Sequence, residues 1–241
     1  MRTEIPINDV KRDYKKALQE LIAEVISKNT DNVVSIYLTG SYARGDASDS
    51  SDLDVFFIFS NLDSQVLYSV GMAARETSIA YEQLEINPQC MTLNEFKNLI
   101  FENWSETSVV ALDSVLLYGK DISSSDISTE EIEVIYKKYL VEVLMSIRHY
   151  MSVDKPIEKL THKRIKTYVL KPLMFALRLE RYCKTSSYPL SIMDLLNSYK
   201  DEYKILVEYF MNKERFDKDI QLDHKKVFET FHTLISSLLA N

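Results

Sequence analysis

Leu38-Thr39-Gly40-Ser41-Tyr42-Ala43-Arg44-Gly45, followed after a polar loop by Ser51-Asp52-Leu53-Asp54-Val55, is the stretch that decides the fold. Before it, Val33 to Leu38 is rich in β-branched and aromatic residues and reads as a strand. After it, Asp52 to Phe59 reads as a second strand. Gly40-Ser41 therefore ends a strand and opens a short helix. Free backbone N–H groups and the Ser41 hydroxyl can there hold phosphate oxygens at the positive end of a helix dipole. Asp52 and Asp54 are two apart on a strand, so both carboxylates are expected on one face. Two like charges about 4 Å apart repel by roughly 4 kcal/mol at an effective dielectric of 20. A cation resolves that conflict, and all-oxygen donors select Mg²⁺ or Mn²⁺. Together the pieces suggest two-metal phosphoryl chemistry.

Working outward, residues 9–28 carry Val10, Tyr14, Ala17, Leu18, Leu21, Ile22, Val25 and Ile26 at helical spacing, and Asn29-Thr30-Asp31-Asn32 breaks the pattern. Residues 63–77 read as a helix and Tyr81 to Met91 as a third strand, in which Gln83, Glu85, Asn87 and Gln89 alternate against Leu84, Ile86 and Cys90. From Leu93 onward the pattern predicts helix throughout. The Ser-rich stretch Asp121 to Asp126 marks a domain boundary, with Ser128 or Thr129 capping the next helix. The expected architecture is an α/β domain over 1–122, then an all-helical domain over 123–241. About five helices are predicted there, interrupted near Asp154 to Pro156, Ser186 to Pro189 and Asn212 to Asp219.

The chain has four glycines in 241 residues, where average usage supplies about sixteen. Gly40 and Gly45 cluster at the strand-to-helix junction, which points to a tight turn or a close ligand approach. At 46% hydrophobic and 27% charged the composition is globular, and the net charge of −7 excludes a uniformly basic nucleic-acid coat. The two cysteines, Cys90 and Cys183, cannot build a disulfide framework, which suits a reducing compartment. No signal peptide is read at the polar N-terminus, and an apolar run such as Val55 to Phe59 is too short to span a bilayer. A cytoplasmic protein with no membrane partner is expected.

Gly40-Ser41-Tyr42-Ala43-Arg44-Gly45 with Ser51-Asp52-Leu53-Asp54-Val55 resembles the signature of the DNA polymerase β superfamily of nucleotidyltransferases, nearest its minimal and aminoglycoside-modifying bacterial branch. The specific match covers about 20 residues, and the strand–helix order extends the similarity to the first 90 or so. The resemblance implies a mixed sheet and a nucleoside triphosphate donor, with ATP the expected one. It also implies two divalent ions and transfer of a nucleoside monophosphate to an acceptor hydroxyl. Carried onto this chain, it makes Gly40 and Ser41 triphosphate-holding residues and Asp52 and Asp54 metal ligands. The family also uses a third acid, as metal ligand or as base, and Glu82 and Glu85 are the candidates. Glu85 is chosen because it shares a strand face with Gln83 and Asn87, whereas Glu82 shares one with Leu84 and Ile86. Arg44 has two readings, a phosphate contact or an ion pair with Asp46.

Residues 155–184 hold nine Lys or Arg against Glu158 and Glu180, a segment of +7 in an acidic chain, which suggests an anion-facing surface. Arg164, Lys171 and Arg178 recur every seven residues, close to one helix face, although Pro172 can break it. The stretch Lys166 to Arg178 is loosely similar to the helical region of an RNA-repair-associated nucleotidyltransferase family. That similarity implies that Lys166, Lys171 or Arg178 helps bind triphosphate across a domain cleft. Lys171 is the residue carried forward as nucleotide-binding. Tyr168, Leu173, Phe175, Leu177 and Leu179 beside it read as core. None of the four histidines follows an Arg by four to six residues, so a ribonuclease-type partner is not expected. The acceptor classes are a small hydroxylated molecule or RNA, with a protein side chain a third. A catalytically silent nucleotide-binding or toxin–antitoxin module is the alternative, and no sequence-specific DNA binding is expected.

Overall fold

A computed structural model describes residues 13–48, 51–81, 84–99, 112–122, 128–153, 162–199 and 201–240. The chain divides into two compact units, residues 1–126 and 127–241.

The first unit is built on a four-stranded sheet of β1 (Val33–Leu38), β2 (Leu53–Phe59), β3 (Ile86–Thr92) and β4 (Val115–Gly119), in the order β3-β2-β1-β4. β1 runs antiparallel to β2 and β4, and β2 runs parallel to β3, so the sheet is mixed as the resemblance implies. The central strands are buried on both faces, which is why β2 reads as a continuous apolar run rather than an alternating one. Phe57 and Phe59 are fully buried on one face of it, each contributing about 1.5–3 kcal/mol of burial energy. Helix α1 (Tyr14–Lys28) buries Tyr14, Ala17, Leu18, Leu21 and Val25, the predicted periodic face. Helix α3 (Ser64–Ala80) is capped by the Asp63 carboxylate, which accepts from the Val66 N–H. Two expectations change. The third strand starts at Ile86, not Tyr81, because its pairing with β2 begins at Leu53↔Ile86. Beyond Leu93, helix α4 (Leu93–Leu99) does not continue to the end of the unit, since β4 pairs with the open edge of β1. Glu82, the rejected third acid, lies outside the described residues.

The second unit is helical. Helix α5 (Thr129–Ser152) starts with a capping box: the Ser128 hydroxyl accepts from Glu131 N–H while the Glu131 carboxylate accepts from Ser128 N–H. Helix α6 (His162–Ile165) passes through a π turn (Lys166–Leu170) into α7 (Lys171–Thr185). In the π turn the Lys171 N–H reaches back five residues to the Lys166 carbonyl. That wider turn relieves the clash Pro172 would make with the carbonyl four residues before it, so the chain runs through the proline unbroken. Then follow α8 (Ile192–Ser198), a 3₁₀ turn, α9 (Lys204–Met211) and α10 (Lys213–Ala240). The break expected over Asn212 to Asp219 is confined to Asn212, and α10 kinks instead at Asp223, whose carboxylate accepts from Lys226 N–H. No described helix is long and apolar enough to cross a membrane.

Candidate active site

β1 ends at Leu38, paired with Val55 of β2, and Thr39 follows in extended conformation. The Thr39 N–H donates to the Asp54 carbonyl at 2.9 Å, stitching the exit of one strand to the start of the other. Gly40 then takes φ +68° and opens helix α2 (Gly40–Arg44), which closes on Gly45 at φ +82°. Both glycines occupy the left-handed region that other residues rarely adopt. Gly40 has a second reason to lack a side chain. A Cβ there would lie 2.2 Å from the Asp54 Oδ2 atom, so the carboxylate of Asp54 is seated directly on the glycine backbone. Its other oxygen, Oδ1, accepts from the Asn87 amide at 2.9 Å. Asn87 is the register partner of Asp54 across the parallel β2–β3 pair. Asp54 is thereby held from below by a bare backbone and from the side by an amide.

Asp52 immediately precedes β2 and is half-buried. The buried Leu53 separates it from Asp54, and strand alternation assigns the two acids one side. Leu53 N–H donates to the Glu85 carbonyl at 2.8 Å, so Glu85 stands alongside the Asp52–Leu53 step, one residue before β3. Glu85 is exposed. Among the described residues no three His, Cys, Asp or Glu side chains group closely enough to cage a metal ion. Asp52, Asp54 and Glu85 therefore do not form a preassembled trio, because Asn87 rather than Glu85 lies opposite Asp54. The donor chemistry nonetheless fits Mg²⁺. This ion keeps several waters and takes one or two carboxylates plus substrate phosphates, rather than an all-protein cage.

Ser41 lies in the first turn of α2, and its carbonyl accepts from both Gly45 N–H and Asp46 N–H, the latter at 3.0 Å. Helix α2 is anchored by the fully buried Tyr42, whose ring packs 4.8 Å from that of Tyr14, and by the buried Ala43. The Arg44 guanidinium ion-pairs with Asp46 (3.5 Å) and with the buried Asp113 (3.1 Å). Sequence reasoning anticipated Asp46 but missed Asp113, 69 residues away with no local pattern to mark it. Asn87 was legible only as a member of the Glu85 face.

The basic stripe of the second unit does not survive folding as predicted. Lys171 and Arg164 are exposed, but Arg178 is buried and donates its Nε–H to the Pro189 carbonyl at 3.1 Å. The π turn between Arg164 and Arg178 changes the helical phase, so a seven-residue spacing across it no longer keeps one face. Tyr168, expected in the core, is 60% exposed, whereas Leu173, Leu177 and Leu179 are buried. Lys171 belongs to the second compact unit, and Gly40, Ser41, Asp52, Asp54 and Glu85 to the first.

No curated protein matches the chain by sequence. Among solved structures, the spectinomycin adenyltransferase AAD(9) from Enterococcus faecialis, crystallised with ATP and spectinomycin, is similar at 14% identity and a TM-score of 0.58. The match covers 94% of this chain and 99% of that one. A toxin–antitoxin structure with AMP-PNP matches at 18% identity and a TM-score of 0.34, over 54% of this chain and 96% of that one. A nucleotidyltransferase-like protein from Exiguobacterium sibiricum matches at 12% identity and a TM-score of 0.37, over 91% and 74%. The family model described as the nucleotidyltransferase domain matches residues 18–165, more than half of the chain and all of the Gly40–Asp54 turn. With that match, a mixed sheet and a helical C-terminal region, the chain belongs to the nucleotidyltransferase domain family.

Proposed function

We propose that this protein transfers a nucleoside monophosphate, with ATP the expected donor, to a hydroxyl of a small cationic acceptor. The observation that carries the reading is the seating of the Asp54 carboxylate on Gly40, at the turn where a triphosphate would be held. In this scheme the backbone of Gly40 and the hydroxyl of Ser41 hold the triphosphate, and Asp52 and Asp54 hold Mg²⁺ (or Mn²⁺). When bound, the ion neutralises phosphate charge and favours departure of pyrophosphate. Glu85 serves as base, since its exposed carboxylate can approach an acceptor that the tightly seated Asp54 cannot. The acceptor oxygen forms a bond to the α-phosphorus, the bond from that phosphorus to the bridging β-oxygen breaks, and the hydroxyl proton passes to Glu85.

Two observations favour a small cationic acceptor over RNA. Residues 1–126 carry ten Lys or Arg against twenty Asp or Glu, an environment that attracts cations and repels polyanions. The fold is also similar to that of an adenyltransferase crystallised with ATP and spectinomycin. The test is incubation of the full chain with α-labelled ATP, Mg²⁺ and either a panel of aminoglycosides and aminocyclitols or total RNA. Label is expected on a small molecule. It should vanish in Asp52→Asn and Asp54→Asn chains that melt like the wild type. Label on RNA alone would overturn the acceptor assignment, and no transfer to anything would favour a silent nucleotide-binding module.

A further inference from the structure

We propose that Asp113 is a positioning residue for the nucleotide turn, acting through Arg44; this rests on the triphosphate-holding role proposed for Gly40 and Ser41. Helix α2 has five residues, far short of the length at which a helix is stable by itself. Its orientation must come from anchors. Tyr42 and Ala43 supply the apolar ones, on the core side. Arg44 supplies the polar one at the far end, where its guanidinium reaches Asp113 Oδ2 at 3.1 Å and Asp46 Oδ1 at 3.5 Å.

The place of Asp113 in the sheet explains why it can act on the turn. β4 runs antiparallel to β1 with Leu38 opposite Val115. Continuing that register past the strand end brings Ser114 level with Thr39 and Asp113 level with Gly40. The side chain of Asp113 is 1% exposed against 20% for Arg44, so the carboxylate is the fixed post and the guanidinium the arm. Gly45 and Asp46 N–H groups both close on the Ser41 carbonyl, so a shift of Arg44 moves the backbone of Ser41 with it. Stability alone does not favour such a pair, because apolar residues of similar size commonly serve a buried site as well. What the planar guanidinium adds is direction, a fork that fits its carboxylate in few geometries. The second reading of Arg44, a direct phosphate contact, assigns Asp113 the opposite role: a competitor that holds the cation away from its ligand.

The two roles separate experimentally. Binding of a non-hydrolysable ATP analogue with Mg²⁺ to the full chain is measured by calorimetry, alongside thermal melting and steady-state label transfer. Asp113→Asn is expected to raise the Kd about tenfold, and to raise the KM for ATP with kcat within about threefold, as loss of uniform binding requires. The double variant Arg44→Met/Asp113→Leu removes the more deeply buried of the two carboxylates together with its partner and leaves only the less buried Asp46 without the guanidinium. It therefore separates positioning from a folding contact if Asp113→Asn does not fold. It should melt near the wild type yet keep the raised Kd. Wild-type affinity in the double variant would overturn the proposal, leaving the pair a folding contact alone. Tighter binding in Asp113→Asn would also overturn it, in favour of Arg44 touching phosphate. A wild-type chain that binds no triphosphate would overturn the functional reading itself, and this proposal with it.

Discussion

Replacing Gly40 by alanine is the most direct perturbation of the site. The added Cβ would meet Asp54 Oδ2 at 2.2 Å, where ordinary contact begins at 3.4 Å, so carboxylate and backbone must separate by about 1 Å. The φ of +68° adds backbone strain of about 1–2 kcal/mol for a residue with a side chain. At 2–4 °C per kcal/mol for a chain of this size, the melting temperature should fall by about 5 °C, leaving the protein folded at assay temperature. A displacement of about 1 Å in a ligand-positioning group costs on the order of 100-fold in rate, equal to about 2.7 kcal/mol of transition-state stabilisation. The assay is kcat/KM for label transfer, with melting followed in parallel. Gly71→Ala is the control: Gly71 lies inside α3 with nothing within 4 Å of its would-be Cβ, so alanine should stabilise by about 0.5–1 kcal/mol and leave transfer unchanged. A Gly40→Ala chain that transfers label within about threefold of the wild type would refute the close seating of Asp54 as a catalytic feature.

The second unit yields two further expectations. His162 is 8% exposed, and desolvation by burial holds its pKa below the ordinary 6.5. The facing groups are Asp217 and Lys213 of α10, Lys166 of the π turn and the Tyr209 carbonyl of α9. The unfolded chain takes the proton first, so stability is complete above about pH 6.5 and declines as pH falls towards the lowered folded value. His162→Gln should flatten that part of the decline in thermal melts between pH 7 and 5, and an unchanged slope would contradict the assignment. Arg178→Met removes the donor to the Pro189 carbonyl, and loss of this buried charged hydrogen bond should lower stability by about 1–3 kcal/mol. Arg164→Met, at an exposed position, should change urea stability by less than about 0.5 kcal/mol. Equal losses in the two variants would contradict the burial contrast.

How much was legible differs along the chain for identifiable reasons. β1, α2 and β2 were readable because their signals are local: a β-branched run, a glycine pair that permits two positive φ angles, and an apolar run of strand length. The Ser128–Glu131 capping box is equally local. β4 was not readable. Val115–Gly119 has no alternation, and it is a strand because the edge of β1 offers unpaired backbone groups at that height. Arg178 misled because its seven-residue spacing assumes an uninterrupted α-helical period, and the π turn before Pro172 breaks that period.

By itself the sequence determined that Asp52 and Asp54 flank one strand residue after a glycine turn, since covalent spacing and strand alternation suffice for that. It determined as well that the turn needs glycine. Only the tertiary structure decided that Asp54 rests on Gly40, that Asn87 and not an acid is its neighbour, and that Arg44 answers to Asp113. Each of those is a contact between separate strands or helices. Its existence depends on sheet order and register, which are set by the burial of the whole core and leave no mark at any single position.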